Sequence, residues 1–495
     1  MSTIRKQAIT SGILLYFGFL IGAINIFLFT KNGAFTEEQF GLTRIFFDFA
    51  QNIAAFGTLG VTTVLYKFHP YYKDNLPFKQ NDLFTWVFTA AIIGFALVLF
   101  FGWQFQPLMV RKFSRGSQLF LDYYYWVFPF GLGMLLFSLF EAMSNIIQQS
   151  VMPNFLKETA LRIFTTLLIG CFYFKLISFN WFVILFSLLY LVLVAILLFF
   201  LLHKKAFTLT FRVSRVTKKF WKKMVWMQLL MFTGTVIQAL SSTLDGILIA
   251  SLKTIQIAGV FTLAQYVANL VQVPQRSLQS ITVGVLLQAW KENNRAEVMR
   301  IYARSSINML IASLFIYGNV VLNTAYAIEA IGIKNSYLAG MEAMIILGLV
   351  RVLDAGTGVN NIVILTSSHW RFDFYSGLIL LVLIAPTNYI FIKQYGIVGS
   401  AYAQLLSFII YNFIRWNFIR KKFNMQPFNK QTLYTILLSV FSFAIAYSTC
   451  LTLTGWLGII LRSCIFSGMM IVGIFYWQLT PDAGQLWEKV KIKLK

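Results

Sequence analysis

Charged residues are scarce in this sequence: they make up 12% of its 495 residues, against about 25% in an ordinary soluble domain. Hydrophobic residues account for 58%. Apolar runs of about 20 residues recur along the whole chain, and each is long enough to cross a bilayer as a helix. The composition therefore predicts an all-α polytopic membrane protein and leaves no interval for a separate water-soluble domain.

Cysteine and histidine are also rare, and neither type is grouped. The three cysteines lie within apolar runs: Cys171, Cys450 and Cys464. The three histidines lie far apart in predicted loops: His69, His203 and His369. An odd number of cysteines in lipid predicts no disulfide framework, and scattered histidines do not form a metal site. We therefore predict no metal centre.

Motifs that signal catalysis are missing. The sequence contains no G-x-x-x-x-G-K-[ST] phosphate-binding loop, no H-E-x-x-H and no G-x-S-x-G. A membrane glycosyltransferase or polymerase would need catalytic acids in a sizeable outer loop, and few acids are predicted to lie outside. The sequence therefore predicts a protein that is not an enzyme and uses no cofactor.

The apolar runs predict fourteen membrane spans. They are residues 8–30, 41–66, 83–104, 122–146, 159–176, 181–202, 224–250, 258–286, 305–326, 338–365, 375–392, 399–418, 431–450 and 456–478. With the N-terminus placed in the cytoplasm, the cytoplasmic segments hold 28 of the 41 Lys and Arg residues, and the outer segments hold eight. Basic residues gather on the cytoplasmic side of membrane proteins, so both termini are predicted to be cytoplasmic.

The same rule accounts for the formal charge of +24, and we predict no nucleic-acid partner. One predicted outer loop departs from the rule that basic residues gather on the cytoplasmic side, because it carries Arg111, Lys112 and Arg115. These three residues could contact lipid head groups or an anionic ligand.

A basic segment divides the chain into two halves. Residues 203–223 hold eight basic residues and no acid, and six spans lie on each side. We predict an N-lobe (1–202), a basic cytoplasmic linker (203–223), a C-lobe (224–418), and two extra spans with a basic cytoplasmic tail (419–495). An even number of spans per lobe gives both lobes one orientation, as expected for parallel repeats about an axis along the membrane normal. The linker could lie on the anionic leaflet as an anchor or gather a ligand.

A short similarity supports the repeat. T-E-E-Q-F-G-L precedes span two and T-I-Q-I-A-G-V precedes span eight, so that Gly41 and Gly259 open corresponding helices.

Polar residues inside the spans are spaced so that each set lies on one helix face. Span two carries such a set beginning at Arg44, span seven one ending at Asp245, span eight one ending at Arg276, and span ten one beginning at Arg351. Spans two and four correspond to eight and ten in a six-plus-six repeat, and span four ends with a fifth set. Intramembrane charges mark functional sites, so we predict a substrate-binding cavity. Its candidate residues are Arg44, Asp48, Gln51, Asn52, Asp245, Gln265, Asn269, Gln272, Arg276, Arg351, Asp354 and Asn361.

These charges also allow structural interpretations. Three pairs could be ion pairs that hold helices together: Arg44 with Asp48, Arg351 with Asp354, and Asp245 with Arg276. Glu141 could be solvated at the inner end of span four, and Arg162 could extend to the membrane surface. Arg462, close to one end of the last span (456–478), is given no role.

Three stretches resemble the polysaccharide transporters of the multidrug/oligosaccharidyl-lipid/polysaccharide exporter superfamily, the Wzx-type lipid-linked oligosaccharide flippases. The first is F-T-E-E-Q-F-G-L, with G-T-L-G-V-T-T-V-L-Y-K-F at the end of span two. The second is Asp245, a short link, A-G-V-F and Pro274. The third runs from N-N-I-V-I-L-T-S-S-H-W-R through P-T-N-Y-I-F-I-K-Q-Y-G-I-V-G-S-A-Y-A-Q-L-L-S. Their order and spacing are similar across nearly the whole chain.

This resemblance implies two six-helix lobes around a central cavity, plus two extra helices. It implies an alternating-access flippase of the bacterial inner membrane that moves an undecaprenyl-diphosphate-linked glycan outward for surface polysaccharides such as O-antigen. The residues that match the family's cationic cavity are Arg44, Arg276 and Arg351, which would meet the diphosphate. The chain departs from the family by placing Asp48, Asp245 and Asp354 beside them. These acids would bind sugar hydroxyls or a coupling cation.

The resemblance also implies partners. They are the lipid-linked glycan, membrane lipids, and the polymerase and glycosyltransferases of the same glycan, with the flippase itself a monomer.

Other functions remain open. A multidrug exporter of the same superfamily would favour an ion-coupling acid in the first helix of a lobe, where span one has none and span seven has Asp245. A major-facilitator transporter usually carries G-x-x-x-D-R-x-G-R after span two, where this chain reads Y-K-F-H-P-Y-Y-K-D-N-L-P. A membrane enzyme of glycan assembly would turn over lipid-linked sugar.

Overall fold

The structure is a computed structural model that describes residues 3–33, 35–114 and 116–483. All regular elements in those ranges are helical. The helices up to the middle of the chain are α1 (Thr3–Thr30), α2 (Glu37–Gly57), α3 (Val61–Asn75), α4 (Leu83–Gln104), α5 (Gln106–Phe113), α6 (Gln118–Asp122), α7 (Val127–Ile146), α8 (Val151–Phe155), α9 (Leu161–Tyr173), α10 (Phe179–His203), α11 (Arg215–Leu252) and α12 (Ile255–Asn269). The remaining helices are α13 (Val273–Lys291), α14 (Arg295–Ile331), α15 (Met341–Gly356), α16 (Asn360–Thr366), α17 (Arg371–Tyr395), α18 (Ile397–Phe423), α19 (Lys430–Thr449) and α20 (Gly455–Tyr476).

Each predicted span coincides with one helix or with helices in series, and the all-α multi-pass class is confirmed. Ten helical stretches in the described ranges are long and apolar enough to cross a membrane. Several spans are interrupted by a break or a turn in the helix. Span two is interrupted at Gly60 and span ten at Gly358, which take positive φ angles of 76° and 70° that glycine tolerates. Span eight contains a 3₁₀ turn just before Pro274.

The chain divides into two compact units, Met1–Gly259 and Val260–Lys495. This division falls inside α12, whereas the predicted lobe boundary is the linker 203–223. In the first unit α2 packs against α4, α7 and α11, and α7 packs against α10. Phenylalanine rings pack against one another in this unit, such as Phe84 stacked on Phe207 with 4.1 Å between ring centroids. The predicted lobes stay a prediction.

The two glycines of the sequence repeat contact each other. A Cβ atom on Gly41 would overlap the carbonyl oxygen of Ile255, and one on Gly259 would overlap the carbonyl oxygen of Glu37. Each added atom would also lie 3.1 Å from the other glycine's nitrogen. The contact is reciprocal, because each glycine meets the residue four positions before the other. Small residues allow helix backbones to approach this closely, and the two similar segments form a local pair.

The basic linker is fastened to the first unit by hydrogen bonds. The Thr208 hydroxyl donates to the carbonyl of Phe78 (2.9 Å). Asp82 accepts from the Ser214 backbone N–H (2.9 Å) and from the Thr217 hydroxyl (2.7 Å) through Oδ2. The linker therefore has a defined path, and its second half is already the start of α11.

In the second unit α15 packs against α14 and α18, and α20 packs against α14 and α19. Arg462, to which the sequence interpretation gave no role, is fully buried here. Its Nη1 donates to the carbonyls of Cys450 and Leu453 (3.0 Å each), and its guanidinium lies 3.6 Å from the Tyr326 ring centroid. The residue therefore ties α20 to the turn that precedes it. The predicted basic tail lies outside the described residues after 483.

Candidate functional site

In the first unit, the predicted polar faces of α2 and α11 meet. Gln51 Nε2 donates to the Ser242 hydroxyl (2.9 Å), and Asn52 Nδ2 donates to the Thr243 hydroxyl (2.7 Å). Gln51 and Asn52 are consecutive residues of α2, and their partners Ser242 and Thr243 are consecutive residues of α11. We call these residues, with Arg44, Asp48 and Asp245, the α2–α11 cluster.

Asp48 is the most buried charge of the α2–α11 cluster, with 1% of its surface exposed. Its Oδ1 lies 3.2 Å from Nη2 of Arg44, one helical turn away, so the ion pair considered from the sequence is present. A Cβ atom on Gly246 would overlap Oδ2 of Asp48, so α11 presents a glycine where the carboxylate needs room. Asp245, the preceding residue, is also buried. Two buried acids thus lie at one helix crossing.

A second group of polar residues surrounds Asp354 in the second unit. Its carboxylate accepts from Gln272 Nε2, Gln275 Nε2 and Asn412 Nδ2, each at 3.2 Å. The Asn412 carbonyl oxygen in turn accepts from the Thr357 hydroxyl and from Asn360 Nδ2, also at 3.2 Å. We call this group the Asp354 cluster. Its acid is held by three neutral amides.

The remaining candidates of the second unit lie around that cluster. The Arg351 guanidinium lies 5.7 Å from the Phe408 ring centroid, and Asn361 accepts a long hydrogen bond of 3.5 Å from Gln279. Gln265 and Asn269 are half-buried. Arg276 is exposed and forms no ion pair with a carboxylate of the described part of this unit. Five of the predicted site residues therefore lie in the first unit and seven in the second.

Several polar contacts were not predicted from the sequence. Gln275 and Asn412 complete the Asp354 cluster, although neither carries a charge that would have singled it out. Arg415 is 4% exposed. It pairs with Asp373, donates from Nε to the Ser376 hydroxyl (3.0 Å) and lies over a tyrosine ring. A basic residue next to a predicted loop gave no signal of this burial.

Two charges outside the candidate set are paired locally. Glu141 lies 3.4 Å from Nζ of Lys157, and Arg162 lies 3.0 Å from Glu158. Gly18 and Gly22 of α1 leave space for the Arg162 side chain. Arg162 is therefore packed between helices with an acid beside it.

An apolar cavity of about 570 Å³ opens next to the α2–α11 cluster. Its walls come from α2, α4, α5, α7 and α11 and are rich in aromatic side chains, including Phe56, Phe101 and Phe128. Asn52 lines the cavity and also belongs to the α2–α11 cluster. The first unit therefore places a polar surface and an apolar cavity side by side.

No protein-family model and no curated protein sequence matches the chain. Several solved structures do match the chain. The chain is similar to lipid II flippase MurJ in its inward closed conformation, with a TM-score of 0.72 and 16% identity over 95% of this chain and 99% of that one.

It is also similar to an inward-facing MATE multidrug resistance transporter of the MOP superfamily (TM-score 0.66, 12% identity, 84% of this chain and 98% of that one). A third similar structure is that of the MATE multidrug transporter DinF-BH in a ligand complex (TM-score 0.54, 16% identity, 86% of this chain and 98% of that one). The chain is a multi-pass membrane protein with the fold shared by these flippases and transporters.

Proposed function

We propose that this protein is a flippase that moves a polyprenyl-diphosphate-linked oligosaccharide across the bacterial inner membrane by alternating access, for surface polysaccharide synthesis. The observation that carries the proposal is the extent of structural similarity. MurJ aligns with 95% of the chain, whereas the MATE transporters align with 84% and 86% although almost all of each transporter is matched. About a tenth more of this chain aligns with MurJ than with either of these two transporters, a length similar to that of α19 and α20 together.

The polar clusters suit a glycan. Amide and hydroxyl groups donate and accept hydrogen bonds in directions that match sugar hydroxyls. Such groups dominate both the α2–α11 cluster, through Gln51 and Asn52, and the Asp354 cluster, through Gln272 and Asn412. We infer that these clusters contact the oligosaccharide.

The arginines suit the diphosphate. A guanidinium offers several donors in a planar fork that fits two phosphate oxygens at once. Arg276 is the strongest candidate because it is exposed, whereas Arg44 is already paired with Asp48. The apolar cavity beside Asn52 has the size of a ligand pocket and would receive part of the lipid chain.

A multidrug exporter is the second candidate, favoured by the similarity to the MATE transporters and by the aromatic cavity. The buried pair Asp48 and Asp245 would then take part in coupling to a cation. We propose instead that Asp48 and Asp245 bind the glycan. Export of drugs is the alternative result that the following test can give.

The test is translocation of a lipid-linked oligosaccharide by the purified protein in proteoliposomes. We expect outward movement of the glycan in the wild type and its loss in Arg276→Ala, with the fold retained because the side chain is exposed. Arg300→Ala is the matched control, since Arg300 is an exposed arginine of the same unit, paired with Glu297. Wild-type translocation by Arg276→Ala would refute the role of Arg276. Export of cationic drugs without any glycan translocation would favour the second candidate.

A further inference from the structure

A second cavity in the first unit lies at the end that the charge distribution assigns to the cytoplasm. Its volume is about 660 Å³, and it is formed by α3, the segment before α4, the end of α7 and the start of the basic linker. Four side chains that carry or can carry positive charge line it: His69, Lys73, Lys204 and Lys205. It shares no residue with the α2–α11 cluster or with the apolar cavity.

The cavity is a built site, because the linker that closes it is held in place. The Thr208 hydroxyl, also in the lining, donates to the carbonyl of Phe78 on the opposite wall (2.9 Å). Further along, Asp82 binds the backbone of Ser214 and the hydroxyl of Thr217. These bonds hold the linker that carries Lys204 and Lys205, which both line the cavity.

Two residues of the lining follow helix ends in the left-handed conformation. Gln148 and Lys205 both line the cavity, and both have positive φ angles, 60° and 49°. They follow the ends of α7 and α10, where glycine would adopt this conformation without strain. A lysine and a glutamine stand here where a glycine would be the easier residue.

The rest of the lining is divided between polar and apolar groups. Gln148, Gln149 and Asn81 add amides, while Phe84 and Phe207 form a stacked aromatic pair at 4.1 Å. Burial, with a smaller contribution from the charge of Lys73, lowers the pKa of His69. This shift favours the neutral imidazole, which can donate a hydrogen bond.

We propose that this cavity binds a phosphorylated amphiphile, with its phosphate at Lys73, Lys204 and Lys205 and its apolar part against Phe84 and Phe207. Lysines bind phosphate as point charges, and three of them line one cavity with no acid among its described lining residues. The phosphate has two possible sources, an inner-leaflet lipid head group or a soluble phosphorylated ligand of the cytoplasm. The proposal does not depend on the proposed transport function.

The first experiment measures binding of inorganic pyrophosphate to the full chain in phosphatidylcholine nanodiscs. We expect saturable binding in the wild type, weakened at least tenfold in Lys204→Gln/Lys205→Gln. The matched control is Lys218→Gln/Lys219→Gln, which removes the same charge from exposed positions of the linker that do not line the cavity. Absence of saturable binding, or equal weakening in both double variants, would overturn the proposal, since equal loss would mean general electrostatic attraction.

A second variant and a second membrane complete the test. Lys205→Asn removes the charge but keeps a residue that tolerates positive φ, so we expect wild-type thermal stability with weakened binding. Unchanged binding in this variant would contradict the role of Lys205. Nanodiscs that contain phosphatidylglycerol identify the source: competitive loss of pyrophosphate binding supports a lipid head group, and unchanged binding supports a soluble ligand.

Discussion

The crossing of α2 and α11 can be tested through Gly246. A Cβ atom there would overlap Oδ2 of Asp48, which is buried and cannot move into solvent. In Gly246→Ala, either the helices must separate, or the carboxylate must leave Arg44. Overpacking of a close contact typically costs about 1–3 kcal/mol, and a buried charge that loses its partner costs about 3–5 kcal/mol.

Alanine also raises helix propensity by about 1 kcal/mol over glycine, so the comparison needs a control on the same helix. Gly234 of α11 supplies it, because a Cβ atom there has no neighbour within 4 Å. We expect Gly234→Ala to be neutral or stabilising, because the added methyl group meets no neighbour. Gly246→Ala should be less stable than Gly234→Ala by about 1–3 kcal/mol, the range expected for overpacking. The free energy of unfolding is measured by denaturant titration in detergent micelles.

A double-mutant cycle identifies the cause. Asp48→Ala removes the overlapped group, so adding Gly246→Ala to it should cost little, and the coupling energy should equal the penalty of the single change. The half-exposed Arg44 remains solvated in both backgrounds. Equal stability of Gly246→Ala and Gly234→Ala, or a penalty that persists without Asp48, would refute this account of the crossing.

Two further predictions concern the second unit. Arg462→Leu should lower the free energy of unfolding by about 2–4 kcal/mol, because it removes the stacking on Tyr326 and leaves two carbonyls without a charged donor. Denaturant titration measures this change, and Leu457→Ala, at an exposed position of the same helix, is the control. The hydrogen bond from Arg304 holds the pKa of Asp482 below its ordinary value, so this contact stabilises the fold at neutral pH and is lost as the pH falls through that lowered pKa. Asp482→Asn should therefore be less stable than the wild type at pH 7 by about 1 kcal/mol or less, and thermal unfolding at decreasing pH should show the difference shrink once the pH falls below the ordinary pKa of the carboxyl group.

The similar segments around Gly41 and Gly259 show what a sequence repeat can predict and what it cannot. It predicted helices that open at the two glycines, whereas α2 begins at Glu37 and α12 at Ile255, so that each glycine is the fifth residue of its helix. It did not predict that the two glycines touch, because a repeat indicates equivalence and not contact. Similarly, the spacing of Arg44 and Asp48 predicted a pair within one helix turn, and that pair is present.

The sequence by itself determined that this protein is an all-α multi-pass membrane protein, where its helices run, and which helix faces are polar. These properties depend on hydrophobicity and periodicity, which are local to each segment. Tertiary structure alone decided which residues meet: Asp354 is held by Gln275 of α13 and Asn412 of α18, and Lys73 faces the start of the linker. Those contacts depend on which helices pack together, and no single segment contains that information.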